Sequence, residues 1–338
     1  MKRITEINVF GVGRVARRAV AQVARRCRDV RFRLFSRNPQ RHRPLPFSNV
    51  RLFGLDRLTE DGAPLVLCMA SDESRILRAL RDRPTGTTPR SAVAASNLCL
   101  LQTVIEPRLW RHRLVVVVTN PVEIVCEFLS RFTGNLRVYG FGMASDRERV
   151  LEAMRYGFRL PRNEACRVEV TGFHFLRPIP LLSCVPELMG KLESVTAAEV
   201  ARNLALSHLA YGATAAAVAR HFRRALAVAP KFEFGNERRE PRAYELVGAA
   251  VNAITASEFR GSVPPVRRGA ANLACLLSAV IERGQVPVSG RVSAGYLLGG
   301  TLDLTGEEFR VPEAGPDERR LLAHDLAEYD QLRRQHLR

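Results

Sequence analysis

Five short stretches of this sequence combine residue types that can act together on a small molecule. The first, Gly11-Val12-Gly13-Arg14-Val15-Ala16, reads GxGxxA. Two glycines let a backbone turn tightly and approach a pyrophosphate, and a helix starting there offers unpaired amides and partial positive charge. The alternative is a purely structural turn. The second, Ser36-Arg37-Asn38, falls where an acid would accept hydrogen bonds from a ribose 2′-hydroxyl. An arginine in place of that acid tolerates a 2′-phosphate, so the expected cofactor is NADP or NAD, with NADP favoured. The competing view is a Ser-Arg-Asn-Pro turn whose arginine reflects composition alone. The third, Thr119-Asn120-Pro121-Val122, follows a run of four valines. An asparagine amide at such a strand end can hold a nicotinamide ribose or a substrate oxygen. In the fourth, Asp146 precedes Arg149 by three residues, so both can face one side of a helix start. Taken alone, that pair also reads as an N-terminal cap followed by a surface arginine. The fifth, Thr171-Gly172-Phe173-His174, comes 28 residues after Asp146. A carboxylate beside an imidazole fixes its tautomer and stabilises its protonated form, which makes an acid/base pair.

These residues need a scaffold, and the apolar pattern supplies one. Residues 6–10 read as a strand, 11–13 as a tight turn and 15–27 as a helix with Val15, Ala19, Val20, Val23 and Ala24 on one stripe. Residues 30–35 alternate like a second strand. Further strands are expected at 65–69, 114–118 and 137–139, with room between them for crossover helices such as 91–104. The fold class expected is α/β, a Rossmann-type doubly wound parallel sheet ending near Gly142. A mixed α+β substrate domain follows, with helices at 147–157, 196–228, 243–257 and 270–283, strands at 167–171 and 286–292, and a terminal helix at 316–337. The division is residues 1–142 for dinucleotide binding and 143–338 for substrate and catalysis.

Composition narrows the function classes. With 338 residues and 46% apolar content, the chain can bury one or two cores. Its longest apolar runs have strand length, far short of the ~20 residues a membrane helix needs. The opening MKRITEINVFGVG enters a glycine-rich turn without the apolar core and cleavage site of a secretory signal, so a cytoplasmic protein is expected. Seven cysteines, widely spaced and without a CxxC pair, read as small buried hydrophobes, with neither zinc nor disulfides expected. The formal charge of +18 suggests nucleic acid, yet only Lys2, Lys191 and Lys231 are lysines and the arginines are spread along the chain. That bias fits GC-rich coding, and the basic field is expected to steer anionic small molecules rather than to bind nucleic acid.

In their order and near their spacings, the GxGxxA turn, the VVVVTNPV strand end, the GxxSDxxR segment and the GxH strand resemble the lactate/malate dehydrogenase family. Arg90-Ser91-Ala92-Val93-Ala94-Ala95-Ser96-Asn97, with an arginine seven residues ahead of an asparagine, is similar to that family's active-site loop. The resemblance covers most of roughly the first 185 residues and returns at Val286-Pro287-Val288-Ser289 and the terminal helix. It implies a hydride transfer between a nicotinamide cofactor and a 2-hydroxy/2-oxo carboxylic acid. His174 would then accept the proton in alcohol oxidation and donate it in ketone reduction, with Asp146 orienting and charging it. Arg149 would hold the substrate carboxylate as a bidentate fork. Arg90 would polarise the substrate carbonyl, and Asn120 would position substrate and nicotinamide. Gly11, Gly13, Arg14 and Val15 would hold the cofactor, with Ser36 and Arg37 reading its adenosine ribose. No metal is implied. The partners implied are a small-molecule carboxylate and further copies of the chain, as a homodimer or homotetramer.

The chain departs from the family in several places. Where the family has GEHG, it has Gly172-Phe173-His174-Phe175, two large apolar groups beside the histidine. The approach to the active-site loop is longer, and Arg81 or Arg83 could read the far end of the substrate, where an arginine favours a second carboxylate, as in malate. A longer region after His174, including Ser262-Val263-Pro264-Pro265, reads as an elaborated substrate lid. Such divergence leaves open a non-catalytic dinucleotide-binding protein of the same fold.

Overall fold

The computed structural model describes residues 4–60, 62–68, 93–174, 176–207, 214–228, 242–260, 265–292, 297–305 and 308–337. Strand β1 (Glu6–Phe10) is almost wholly buried. It feeds through residues 11–13 into helix α1 (Arg14–Ala24), whose Ala16, Ala19, Val20, Val23 and Ala24 face inward. Strand β2 (Arg31–Ser36) returns parallel to β1, pairing Val9 with Leu34. This is the βαβ unit expected of a parallel sheet.

Strands β3 (Val50–Gly54), β4 (Leu65–Leu67), β5 (Val115–Val117) and β6 (Val138–Gly140) complete six parallel strands in the order β3-β2-β1-β4-β5-β6. Buried on both faces, β4 and β5 are continuous apolar runs and not alternating ones. Helices α2 (Ala94–Val104), α3 (Pro107–Trp110) and α4 (Val122–Thr133) lie in the connections, α4 ending on Gly134 in the left-handed region at φ 69°.

After β6 the chain enters α5 (Met143–Glu152), which continues into a π-helical turn at Ala153–Gly157, and then α6 (Arg162–Ala165). Strands β7 (Val170–Phe173) and β8 (Arg177–Pro180) form a separate antiparallel pair. Four helices follow: α7 (Pro186–Glu193), α8 (Ala197–Leu206), α9 (Ala215–Val228) and α10 (Arg242–Arg260). The expected single helix over 196–228 is therefore two, the first fixed by a Thr196/Glu199 capping box. Helix α11 (Pro265–Glu282) packs on α1. Strands β9 (Gln285–Arg291), β10 (Leu297–Asp303) and β11 (Glu308–Arg310) then extend the first sheet to nine strands, antiparallel, through the pair Gly140 and Ser289. Helix α12 (Pro316–His336) closes the fold.

Among the described residues no helix is long and apolar enough to cross a membrane. The cysteines are free, and the expectation of burial fails for most of them. Cys126 is buried and Cys27 and Cys68 half-buried, but Cys99, Cys166, Cys184 and Cys275 are exposed. Cys99 and Cys275 sit on the outward faces of α2 and α11, a facing that the apolar segments around them do not reveal.

Candidate active site

The parallel strands run the same way, so the segments leaving β1, β2, β5 and β6 emerge at one edge of the sheet. The strand order reverses between β1 and β4, the place where open α/β sheets form a ligand crevice. At that edge Gly11 adopts φ 104°, a conformation that favours glycine, and donates its amide to Phe35 O at 2.9 Å. Gly13 caps the N-terminus of α1, and a Cβ there would meet nothing within 4 Å. Arg14 beside it is exposed and Val15 half-buried against Gly269 of α11. At the end of β2, the buried Ser36 hydroxyl accepts from the Asn38 amide at 3.2 Å and lies 3.1 Å from His42 Nε2. Arg37 is exposed.

Asn120 follows β5, and its carbonyl accepts a 2.6 Å hydrogen bond from the buried Asn97 side chain. Its own Oδ1 is buried without a hydrogen-bond partner among the described residues. A buried polar atom without a partner is costly, and a ribose or substrate hydroxyl would satisfy this one. With the open approach at Gly13 and the turn at Gly11, the edge fits a dinucleotide.

On the next strand along, β6 delivers the chain into α5 through Gly142. A Cβ on Gly142 would overlap the His174 imidazole, so the missing side chain is what lets the ring lie against this turn. One turn into α5, Asp146 bridges two partners. Its Oδ1 accepts from Arg149 Nη1 at 3.1 Å, and its Oδ2 lies 2.6 Å from His174 Nδ1. All three are buried, with 2% exposure at Asp146, 6% at Arg149 and 8% at His174. The i, i+3 spacing puts Asp146 and Arg149 on one helix face. The helix starts at Met143, four residues before the expected start, which places the aspartate within it. Asn272 of α11 holds the neighbouring Ser145 hydroxyl at 2.9 Å.

His174 arrives at the end of β7, where Gly172 has φ 99° and a Cβ would lie 2.7 Å from Arg177 O. Its backbone amide donates to Glu123 Oε1 at 2.8 Å, and the same oxygen accepts from Ser289 Oγ at 2.8 Å. Phe173 is fully buried and faces away from His174, as successive strand residues do. Of the two apolar neighbours, then, Phe173 does not crowd the histidine, while Phe175 lies outside the described residues. Arg83 and Arg90 also lie outside them, as do Arg81 and residues 262–264.

The sequence motifs pass over Glu123 and Asn272, and they include Gly142 and Ser289 without giving either a role. Glu123 leaves one visible signal: it is an acid in an otherwise apolar run of sequence, between Val122 and Ile124, Val125 and Cys126. Among the described residues no group of three or more His, Cys, Asp or Glu is placed to hold a metal ion.

No protein-family model matches this sequence, and neither does any curated protein. Solved structures match it along almost its full length. The malate dehydrogenase of Cryptosporidium parvum aligns with a TM-score of 0.62 at 12% identity, covering 98% of this chain and 99% of that one. The lactate dehydrogenase of the same organism, solved with lactic acid and nicotinamide adenine dinucleotide, aligns with a TM-score of 0.62 at 15% identity, covering 99% and 98%. A minor L-lactate dehydrogenase from Enterococcus mundtii aligns with a TM-score of 0.62 at 13% identity, covering 98% of both chains. At these identities the likeness is one of architecture: the chain has the lactate/malate dehydrogenase fold, in a strongly divergent sequence.

Proposed function

We propose that the protein is an NAD(P)-dependent oxidoreductase acting between a 2-hydroxy and a 2-oxo carboxylic acid, malate- or lactate-like. The observation that carries this reading is the Asp146 carboxylate, which joins a buried histidine and a buried arginine beside the ligand edge of the sheet. A chain that only bound a dinucleotide would have no use for that arrangement.

Asp146 holds the Nδ1 side of His174, so Nε2 is the nitrogen that takes the hydroxyl proton in oxidation and returns it in reduction. The aspartate also stabilises the imidazolium that forms. Arg149 binds the substrate carboxylate, for which a planar guanidinium suits better than an ammonium. Arg90 polarises the carbonyl, and Arg83 meets the far end of the substrate. Asn120 orients substrate and nicotinamide through its amide. Gly11, Gly13, Arg14 and Val15 hold the pyrophosphate side of the cofactor, and Ser36 with Arg37 favours NADP over NAD. The bound cofactor supplies the hydride chemistry. Residues 1–142 carry the dinucleotide and residues 143–338 the substrate, in a homodimer or homotetramer.

The test is a fluorescence titration with NADPH and NADH, followed by turnover assays on a panel of 2-oxo acids including pyruvate and oxaloacetate. Oxidation of the reduced cofactor by at least one of them is expected. Tight cofactor binding with no turnover on any acid would instead leave a dinucleotide-binding protein of the same fold.

A further inference from the structure

We infer that Glu123 is a positioning residue for His174, gripping the backbone of the proton-transfer histidine while Asp146 holds its ring. This rests on His174 being the base of the reaction proposed above.

Glu123 is fully buried. A buried carboxylate is costly unless its oxygens are compensated, and an apolar residue of similar volume usually serves stability as well or better. The compensation here falls on one oxygen: Oε1 accepts from His174 N and from Ser289 Oγ, both at 2.8 Å. Oε2 has no partner among the described residues. The half-compensated acid is therefore poorly explained as stabilisation alone, and what it holds becomes the relevant question.

It holds an amide at a break in the strand pairing. The β7–β8 ladder ends at Phe173 paired with Arg177, so the His174 amide has left it. Glu123 takes the place of a strand partner. His174 is thus fixed at two atoms by two elements, the ring by Asp146 on α5 and the main chain by Glu123 on α4. Proton transfer requires the base within hydrogen-bond reach of the substrate hydroxyl, so freedom in this backbone becomes freedom in the donor–acceptor distance. Helix α4 also starts directly after Asn120 and Pro121, so Glu123 and the cofactor-side asparagine sit on a single turn of chain. The histidine is in this way referenced to the edge that receives the cofactor. Ser289 of β9, whose pairing partner Gly140 ends β6, ties the same carboxylate to the sheet.

The experiment compares Glu123→Ala, which removes the acceptor, with Glu123→Gln, which keeps a carbonyl oxygen in its place. On whichever 2-oxo acid of the panel the unchanged protein reduces, the alanine variant should lose about tenfold to a hundredfold in kcat. Its KM and NADPH dissociation constant should stay within about threefold, and the glutamine variant should recover most of kcat. Independently of turnover, proton NMR of the unliganded protein should show a low-field signal from the His174 Nδ1 proton held against Asp146. That signal should move or broaden in Glu123→Ala and persist in Glu123→Gln. A folded alanine variant with unchanged kcat and an unchanged signal overturns the inference, as does a glutamine variant no better than alanine. If Glu123→Ala does not fold, Ser289→Ala takes its place and should disturb the signal in the same direction but less, an unchanged signal again overturning the inference. If the unchanged protein reduces no 2-oxo acid of the panel, the proposed reaction fails on its own and the NMR comparison still decides the role of Glu123.

Discussion

Phe173 stacks on Tyr329, with ring centroids 5.0 Å apart and planes 19° from parallel. The residue just before His174 is thereby turned into the interface with α12 and away from the candidate active site. The hydroxyl of Tyr329 donates to Glu127 Oε2 at 2.6 Å, and Arg131 and Arg333 each reach Glu127 Oε1 at 2.6 Å. Four residues earlier on α12, Asp325 receives a bidentate pair of hydrogen bonds from Arg177 of β8, at 2.8 and 2.7 Å. The hairpin that delivers His174 is therefore clasped by the last helix on both of its strands. Burial and the nearby Glu127 charge push the Tyr329 phenol well above its ordinary pKa, so it remains a donor across the working pH range.

Two substitutions separate the stack from the hydrogen bond. Tyr329→Ala opens a cavity beside Phe173 and should cost about 3–5 kcal/mol of stability, the range for a buried aromatic cut to alanine. Tyr329→Phe keeps the ring and withdraws one donor from a buried carboxylate, a loss of about 1–3 kcal/mol. Urea unfolding measures both. Equal losses would mean that the ring contributes nothing beyond its hydroxyl.

Cofactor preference should follow the end of β2. Ser36 is buried and engaged by His42, Arg37 is exposed, and the Ser36-Arg37-Asn38 stretch contains no acid, which supports the proposed preference for a cofactor with a phosphate on its adenosine ribose. NADPH should bind more tightly than NADH, by about one order of magnitude if one charge-assisted contact to the phosphate is made. Arg37→Asp should reverse the order. Equal or tighter NADH binding by the unchanged protein would remove the basis for an NADP preference.

What could be read from the sequence follows what each signal depends on. β1 was legible residue for residue, β2 to one residue at each end and α1 to one residue at its start and three at its end, because their burial is set by local apolar periodicity. Asp146, Arg149 and His174 were legible as chemistry because their residue types and spacing already limit what they can do, and the fold brings them within hydrogen-bond reach. β8 was not, since Arg177-Pro178-Ile179-Pro180 carries two prolines and depends on its pairing with β7. β3 was missed as a half-buried edge strand. Glu123 was illegible as a site residue because its two donors lie 51 and 166 positions away in the chain.

The start of α12 should make stability sensitive to acid. Glu318 is buried, which by itself would raise its carboxyl pKa, but hydrogen bonds from the Tyr244 hydroxyl at 2.5 Å and the Ser183 amide at 2.9 Å outweigh this and hold it below the ordinary value. A group with a depressed folded-state pKa adds stability that is fully present above its unfolded pKa and is lost as pH falls through the folded one. Glu318→Gln should therefore destabilise the protein near neutrality by about 1–3 kcal/mol. The difference from the unchanged protein should shrink as pH falls below the ordinary glutamate range. Melting curves across that interval check it, and a difference independent of pH would count against the charge.

The last prediction concerns the buried trio itself. Asp146 is shared between His174 and Arg149, so the proposed base and the proposed carboxylate anchor are one hydrogen-bonded unit and their losses should not add. His174→Asn removes the proton carrier and should abolish turnover while NADPH titrations stay unchanged. Arg149→Lys keeps the charge and loses the fork, so its main effect should be a raised KM. Asp146→Asn affects both functions at once. Its amide can no longer balance an imidazolium, and its contact to Arg149 weakens, so kcat should fall and KM rise together. Combining Asp146→Asn with His174→Asn should lower kcat little beyond His174→Asn alone, since the aspartate's effect on kcat acts through the imidazole. Turnover retained by His174→Asn within about tenfold of the unchanged protein would remove His174 as the base, because positioned acid–base catalysis contributes at least about a hundredfold.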